Sequence, residues 1–290
     1  MNVYEVITER ITNQLEKHEI PWRKTWSSAG FPRNYLTNKQ YRGINIFLLH
    51  CSNFSSPYWL TWKQLNRLGG HVKKGESASP VVFWKQWEVE DKQTGELKDI
   101  PILRYYAVFN ADQIEGIDFP CPAEREFSFS PIDAGEKVIA EMQNKPAMRE
   151  GNNACYIPLQ DAVYLPRKER FELTQHYYST AFHELVHSTG HENRLKRKGI
   201  ENSHGFGSHE YSKEELVAEF GASYLCGHCG IEIKETFDNS LAYIKGWINK
   251  LKNNPKWLVF AAAQAQKAAD YILNAQKQER KSSVLHLILN

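Results

Sequence analysis

The segment His183-Glu184-Leu185-Val186-His187 constrains the chain most. Two histidines four positions apart share one face of an α-helix, a turn from each other. In that conformation both imidazoles can grip one metal ion. The surrounding pattern, from about Glu172 to Thr189, has helical periodicity, and Gly190 suits a C-terminal cap. Glu184 lies between the two ligands. It is the expected catalytic base, a carboxylate that takes a proton from a water and later returns it to a leaving amine.

A catalytic zinc takes three protein ligands and keeps one position open. A third histidine in the pattern H-E-x-x-H-x-x-G-x-x-H would fall at position 193, which is Asn193. His191 comes two residues early, so that arrangement is rejected. A second helix, Tyr211 to Ala222, offers Glu215 and Glu219, again four apart, with Ser212 and Glu215 as a capping box at its start. One carboxylate would bind the metal and the other would accept the free N–H of a ligating imidazole. Analogy with glutamate-ligand zinc peptidases makes Glu215 the ligand and Glu219 its supporting carboxylate; the spacing fits the exchanged assignment as well. Glu214, about 100° off that face, is expected in solvent. Tyr211, His204 and His209 are candidate oxyanion donors by proximity in sequence. The donor set implies one Zn2+, with other transition metals also compatible. Asp161 to Pro166 reads as a short strand that, by the same analogy, could pair with an extended substrate.

The N-terminal half has a different character. From Pro21 to Lys85 there are ten basic residues and one acid, Glu76, a local balance of +9 that the whole-chain +2 conceals. The basic residues include Arg23, Lys24, Arg42, Lys73, Lys74 and Lys85. Interleaved with them are aromatics, among them Trp22, Tyr41, Trp59 and Trp84. Cations attract phosphates and release counterions, and aromatic faces stack on unpaired bases with little regard to sequence. These ten residues are therefore the candidate contacts for single-stranded DNA. Some of the aromatics and Ile44, Ile46, Leu48 and Leu49 are expected to build a core. A helix over Val3 to Leu15, a short helix over Leu60 to Leu68, and a long hairpin of Val81–Val89 with Leu97–Phe109 complete the coarse reading. Pro101 in the second strand suggests an edge or bulge.

A proline-containing stretch at 119–131 marks a linker, giving domains 1–125 and 126–290. Hydrophobic residues at 41% and charged residues at 24% are ordinary for globular chains. A core is therefore affordable without the metal. No apolar run approaches the roughly 18 residues of a membrane span. Met1 to Ile20 carries four glutamates and resembles neither a signal nor a transit peptide. Five scattered cysteines suggest reduced thiols and the cytoplasm. Cys226-Gly227-His228-Cys229 follows a helix rather than opening one, which argues against a redox site. The basic run Arg194, Lys196, Arg197, Lys198 is expected to be a solvated loop.

Several blocks resemble the ArdC-type antirestriction proteins. In the N-terminal half they are Ile20-Pro21-Trp22-Arg23-Lys24, Tyr41-Arg42-Gly43-Ile44-Asn45, Tyr58-Trp59-Leu60-Thr61, Gly69-Gly70-His71-Val72-Lys73-Lys74-Gly75-Glu76 and Val82-Phe83-Trp84-Lys85. In the C-terminal half they are Ala181 to His191, Phe206-Gly207-Ser208, Glu214 to Ala222 and Lys267 to Leu273. A similar N-terminal module occurs in some plasmid primases. The resemblance implies an α+β fold in two domains: a mixed α+β single-stranded-DNA-binding module followed by a zincin-like metallopeptidase domain. It also implies a plasmid-borne protein that shields DNA entering by conjugation from a type I restriction enzyme. Two rival readings are a DNA-recruited metalloprotease and a non-catalytic, metal-stabilised scaffold. The tail Ala275 to Asn290 lies outside the resemblance.

Overall fold

The structure is a computed structural model. It describes residues 2–17, 20–22, 30–52, 54–90, 97–120, 131–197, 200, 209–232 and 240–275, with the backbone alone at 85–90, 97–101, 131, 209–211 and 240–245. Its helices are α1 (Val3–Glu16), α2 (Ile44–His50), α3 (Trp62–Arg67), α4 (Pro131–Glu141), α5 (Thr174–Ser188), α6 (His209–Cys229), α7 (Ser240–Asn253) and α8 (Trp257–Ile272). Its strands are β1 (Arg33–Asn34), β2 (Tyr58–Thr61), β3 (His71–Val72), β4 (Ser79–Glu90), β5 (Leu97–Asn110), β6 (Ile114–Glu115), β7 (Ala147–Glu150), β8 (Cys155–Ile157) and β9 (Ala162–Leu165). Two compact units form. The first holds Met1–Pro21, Ser27–Arg125 and Asn239–Lys256, and the second holds Trp22–Trp26, Glu126–Asp238 and Trp257–Asn290.

In the first unit, Asn2 starts α1 through a reciprocal cap. Its side chain accepts from Glu5 N (3.0 Å), and the Glu5 carboxylate accepts from Asn2 N (2.7 Å). Ile7, Ile11 and Leu15 form its buried stripe. The main sheet runs β1-β2-β5-β4, with β1 and β2 parallel and the other pairs antiparallel. Strand β4 lies at one edge of that order. Buried Asn45 on α2 meets its backbone as a strand would: its amide donates to Val82 O (2.8 Å) and accepts from Val82 N (2.6 Å). Pro101 lies opposite Gln86, where β5 has β4 on one side and β2 no longer reaches the other, an arrangement that spares its missing N–H. Leu60 and Thr61 belong to β2 and not to the helix expected there. Thr61 caps α3 instead, accepting from Gln64 N.

Tyr41, Leu49, Trp59, Val81 and Val108 form one buried cluster, and Leu60, Leu65 and Ile114 another. Helix α7 joins this unit against α1. Thr8 Oγ1 donates to Pro255 O (3.1 Å), and Lys252 pairs with Glu16 (2.7 Å).

In the second unit the order is β7-β9-β8, with β7 and β9 parallel and β9 and β8 antiparallel. The strand read as a substrate partner, β9, is thus paired on both sides, and β8 is an edge. Helix α5 packs against β8, β9 and α6, and α6 packs against α8. The buried alanines of α8 (Ala261, Ala262, Ala265, Ala268 and Ala269) permit close helix packing there. Trp22 is 2% exposed and meets Phe220 edge-on at 5.1 Å. Among the described residues no helix is long and apolar enough to cross a membrane.

Candidate metal centre

The metal site grows from two helices. His183 and His187 project from consecutive turns of α5, their rings 4.7 Å apart at 76°. Glu215 reaches them from α6. Its Oε2 lies 3.5 Å from His183 Nε2 and its Oε1 lies 3.3 Å from His187 Nε2; the two Nε2 atoms are 3.1 Å apart. Ligand atoms about 2.0–2.2 Å from a tetrahedral zinc lie about 3.3–3.5 Å from one another. The separations of 3.1–3.5 Å are near those values, with the carboxylate facing the two rings through different oxygens. Among the described residues this is the group of histidine, cysteine and acidic side chains that could hold a metal ion. Burial lowers the His187 pKa, yet the carboxylates of Glu214 and Glu215 outweigh it and push the value up to about 10. Burial raises Glu215, and the two histidines more than reverse this, holding it well below the usual carboxylate range.

Glu184 is 8% exposed on the same helix. The Cys155 thiol of β8 is raised first by desolvation and then by the negative charge of Glu184, so the carboxylate lies near that edge strand. The Tyr211 side chain, His204 and His209 lie outside the described side chains. Ser212 lies inside α6, not at its start, because the helix begins at His209.

The acid beside Glu215 departs from expectation. Glu214 is 6% exposed, with Oε1 3.5 Å from His187 Nδ1. Arg197, 7% exposed, clamps it: Nε donates to Oε2 (3.0 Å) and Nη2 to Oε1 (2.5 Å). A carboxylate thus stands behind His187, and it is Glu214, the residue expected in solvent; Glu219 is half-buried on α6. Arg194 is also no solvated residue. Its side chain is 1% exposed, donates from Nε to Ser188 O (2.7 Å), and forms a salt bridge with Asp161. Arg194 and Arg197 fold back over the C-terminal end of α5, where cations suit the unpaired carbonyls, while Lys196 is exposed. Gly190 has no left-handed φ. A side chain there would meet Ile200 at 2.5 Å and Arg197 Nη2 at 3.2 Å, so it is glycine for close approach. Sequence periodicity missed these partners because two adjacent glutamates can both flank a histidine pair one turn wide.

Candidate DNA contacts separate sharply. Trp22, Tyr41 and Trp59 are 2%, 7% and 3% exposed and pack in cores, so none offers a free ring face. Arg23 and Lys24 and the Lys85 side chain lie outside the described residues. Arg42, Lys73 and Lys74 are exposed, and Lys73 Nζ donates to Asp112 O (2.8 Å). Trp84 is 47% exposed. Two other rings of the same aromatic-rich stretch are also exposed, Trp62 at 54% and Phe83 at 46%, together with two beyond it that the sequence reading did not name, Tyr105 at 60% and Tyr106 at 43%. Cross-strand register places Trp84 with Leu103 and Val82 with Tyr105 on one sheet face. Trp62 packs on Phe109 of that face at 5.8 Å.

Residues 1–109 match the family described as the N-terminal domain of anti-restriction factor ArdC, and residues 133–265 match the zincin-like metallopeptidase family. The DNA primase TraC of Escherichia coli is 34% identical over 95% of this chain, which spans 27% of that primase's length. The crystal structure of the antirestriction ArdC protein from plasmid R388, metal-free, superposes with a TM-score of 0.75 at 35% identity, covering 94% of this chain and 97% of that one. Its Mn(II)-bound form gives 0.74 at 34%, covering 94% and 98%. With both family models matched and a solved ArdC structure superposing over nearly the whole length of each chain, the chain belongs to the ArdC antirestriction family.

Proposed function

We propose that this chain is an antirestriction protein that binds single-stranded DNA with little sequence preference through its N-terminal module and carries a zinc metallopeptidase-like site in its C-terminal module. The observation that carries the DNA reading is the set of exposed rings on β4, β5 and α3, namely Trp84, Tyr105 and Trp62, of which Trp84 and Trp62 fall within the Pro21–Lys85 stretch of one-sided positive charge. Each stacked base contributes about 1–3 kcal/mol, and every base offers a π-face. Arg42, Lys73, Lys74 and, beyond the described side chains, Arg23, Lys24 and Lys85 supply the phosphate contacts. Coating an entering strand as it is copied would hide it from a type I restriction enzyme.

At the metal site, His183, His187 and Glu215 would hold the ion, which when bound would supply a Lewis acid and acidify water. Glu184 accepts the proton of the attacking water and returns it to the leaving amine. The β8 edge, near Glu184, offers unpaired backbone to an extended peptide. This supports the second reading, a protease brought to DNA-bound proteins by the first module.

A gel shift comparing single- and double-stranded DNA, with and without chelator, tests the assignment. Single strands should bind more tightly, with or without metal. Trp84→Ala and Tyr105→Ala should each weaken binding about 5- to 100-fold. Equal affinity for duplex, or no effect of either ring, would sink it. Antirestriction that survives Glu184→Ala excludes proteolysis as the mechanism; its loss, with DNA binding intact, selects the protease reading.

A further inference from the structure

The buried pair Arg197–Glu214 has no part in binding a metal directly, yet it stands directly behind one ligand. His187 Nδ1 is buried and makes no hydrogen bond. The nearest charge is Glu214 Oε1 at 3.5 Å, within ion-pair range and short of a closed hydrogen bond. Arg197 fixes that carboxylate through two nitrogens, and its other bonds reach the ligand helix itself. Nη1 donates to Thr189 Oγ1 (2.6 Å) and Nη2 to Val186 O (2.6 Å). A guanidinium fork is rigid and planar. Anchored to α5 at two points, it holds a carboxylate of α6 against the back of a histidine of α5.

We propose that Arg197 is a positioning residue of the metal centre, acting through Glu214 to hold His187 as the tautomer with its proton on Nδ1 and its lone pair on Nε2. The proposal rests on the reading of His183, His187 and Glu215 as metal ligands. An imidazole that can bond only one way presents Nε2 to the metal without paying for reorientation, and a carboxylate behind it raises its basicity. Among the described residues, the histidine that this pair contacts is His187, so the two histidines should respond differently when it is disturbed.

The direct test is nitrogen NMR of 15N-histidine-labelled full-length protein loaded with zinc. His187 should show a protonated, solvent-protected Nδ1 and a metal-bound Nε2. The variant test is zinc affinity by chelator competition. Arg197→Lys keeps the charge but loses the fork, and Glu214→Gln keeps an acceptor but loses the charge. Each should weaken zinc about 10- to 100-fold and shift the His187 ring signals while leaving those of His183 in place. The double variant should lose no more than the worse single, because both act along one line. Unchanged affinity with unchanged His187 signals, or losses that add, would overturn the proposal. Should either variant fail to fold, the wild-type spectrum decides alone, and an unprotonated or freely exchanging His187 Nδ1 refutes it. Wild-type protein that binds no zinc at all would instead bring down the metal-site reading, which the chelator titration reports separately.

Discussion

At the residue scale the site is a competition between a proton and a metal. The His187 pKa is raised from 6.5 to about 10 in the metal-free cluster, so its proton must leave when the metal enters. A raised folded value stabilises the fold fully below the unfolded pKa of 6.5 and loses that contribution as pH climbs towards 10. Glu215, depressed below 4.5, contributes above its unfolded value and fades only in acid. Between pH 6.5 and 9 the metal-free cluster therefore weakens while zinc binding tightens by about tenfold per unit for one released proton. The gap in Tm between zinc-saturated and chelated protein should widen steadily across that range. A constant gap in thermal melts would contradict the coupling. The grouping of His183, His187 and Glu215 was legible in sequence, since four-residue spacing on a helix is a geometric statement. Glu214 and Arg197 were not. Which of two adjacent glutamates turns inward depends on how α5 and α6 cross, and a short loop of basic residues reads as solvated until its fold-back is seen.

That crossing is decided at the scale of elements. Gly221 on α6 faces Val186, the residue before the second histidine. A Cβ there would lie 2.6 Å and 2.9 Å from the two valine methyl carbons. Val186 is fully buried, so the methyl groups cannot swing away. In an exposed helix interior, alanine would be better than glycine by about 1 kcal/mol. Here the clash reverses the sign. Gly221→Ala should destabilise by about 1–3 kcal/mol and, by pushing α6 outward, carry Glu215 away from the histidines and weaken metal binding. Adding Val186→Ala should restore part of both, because it removes the methyls that block approach. Equilibrium denaturation and metal titration of the single and double variants check this; additive losses would mean the glycine does not set the helix spacing. The same scale explains which aromatics could not be sorted from sequence. Trp59 and Trp84 both lie on strands rich in aromatics, and only the register of β2 and β4 against β5 shows that one ring enters the core and the other leaves it.

For the whole molecule, each compact unit draws on stretches that the expected domains 1–125 and 126–290 place in the other. The chain returns: α7, from far downstream, lies with α1, and Trp22, from far upstream, lies with Phe220. Periodicity marks α7 as a packing helix without saying what it packs on, since that information resides in long-range contacts such as Thr8 with Pro255 and Tyr4 with Lys256. Trp247 and Leu251 of α7 are 6% and 0% exposed. Withdrawing two such side chains from their burial costs roughly 3–5 kcal/mol, a large share of the stability of a small domain. A fragment ending at residue 125 should therefore melt well below the same fragment joined by a flexible linker to residues 239–256, and should hold single-stranded DNA only in the joined form. Circular dichroism melts and gel shifts of the two fragments decide it. Equal melting temperatures would mean that the first unit is complete at the linker and that α7 contributes little to its stability.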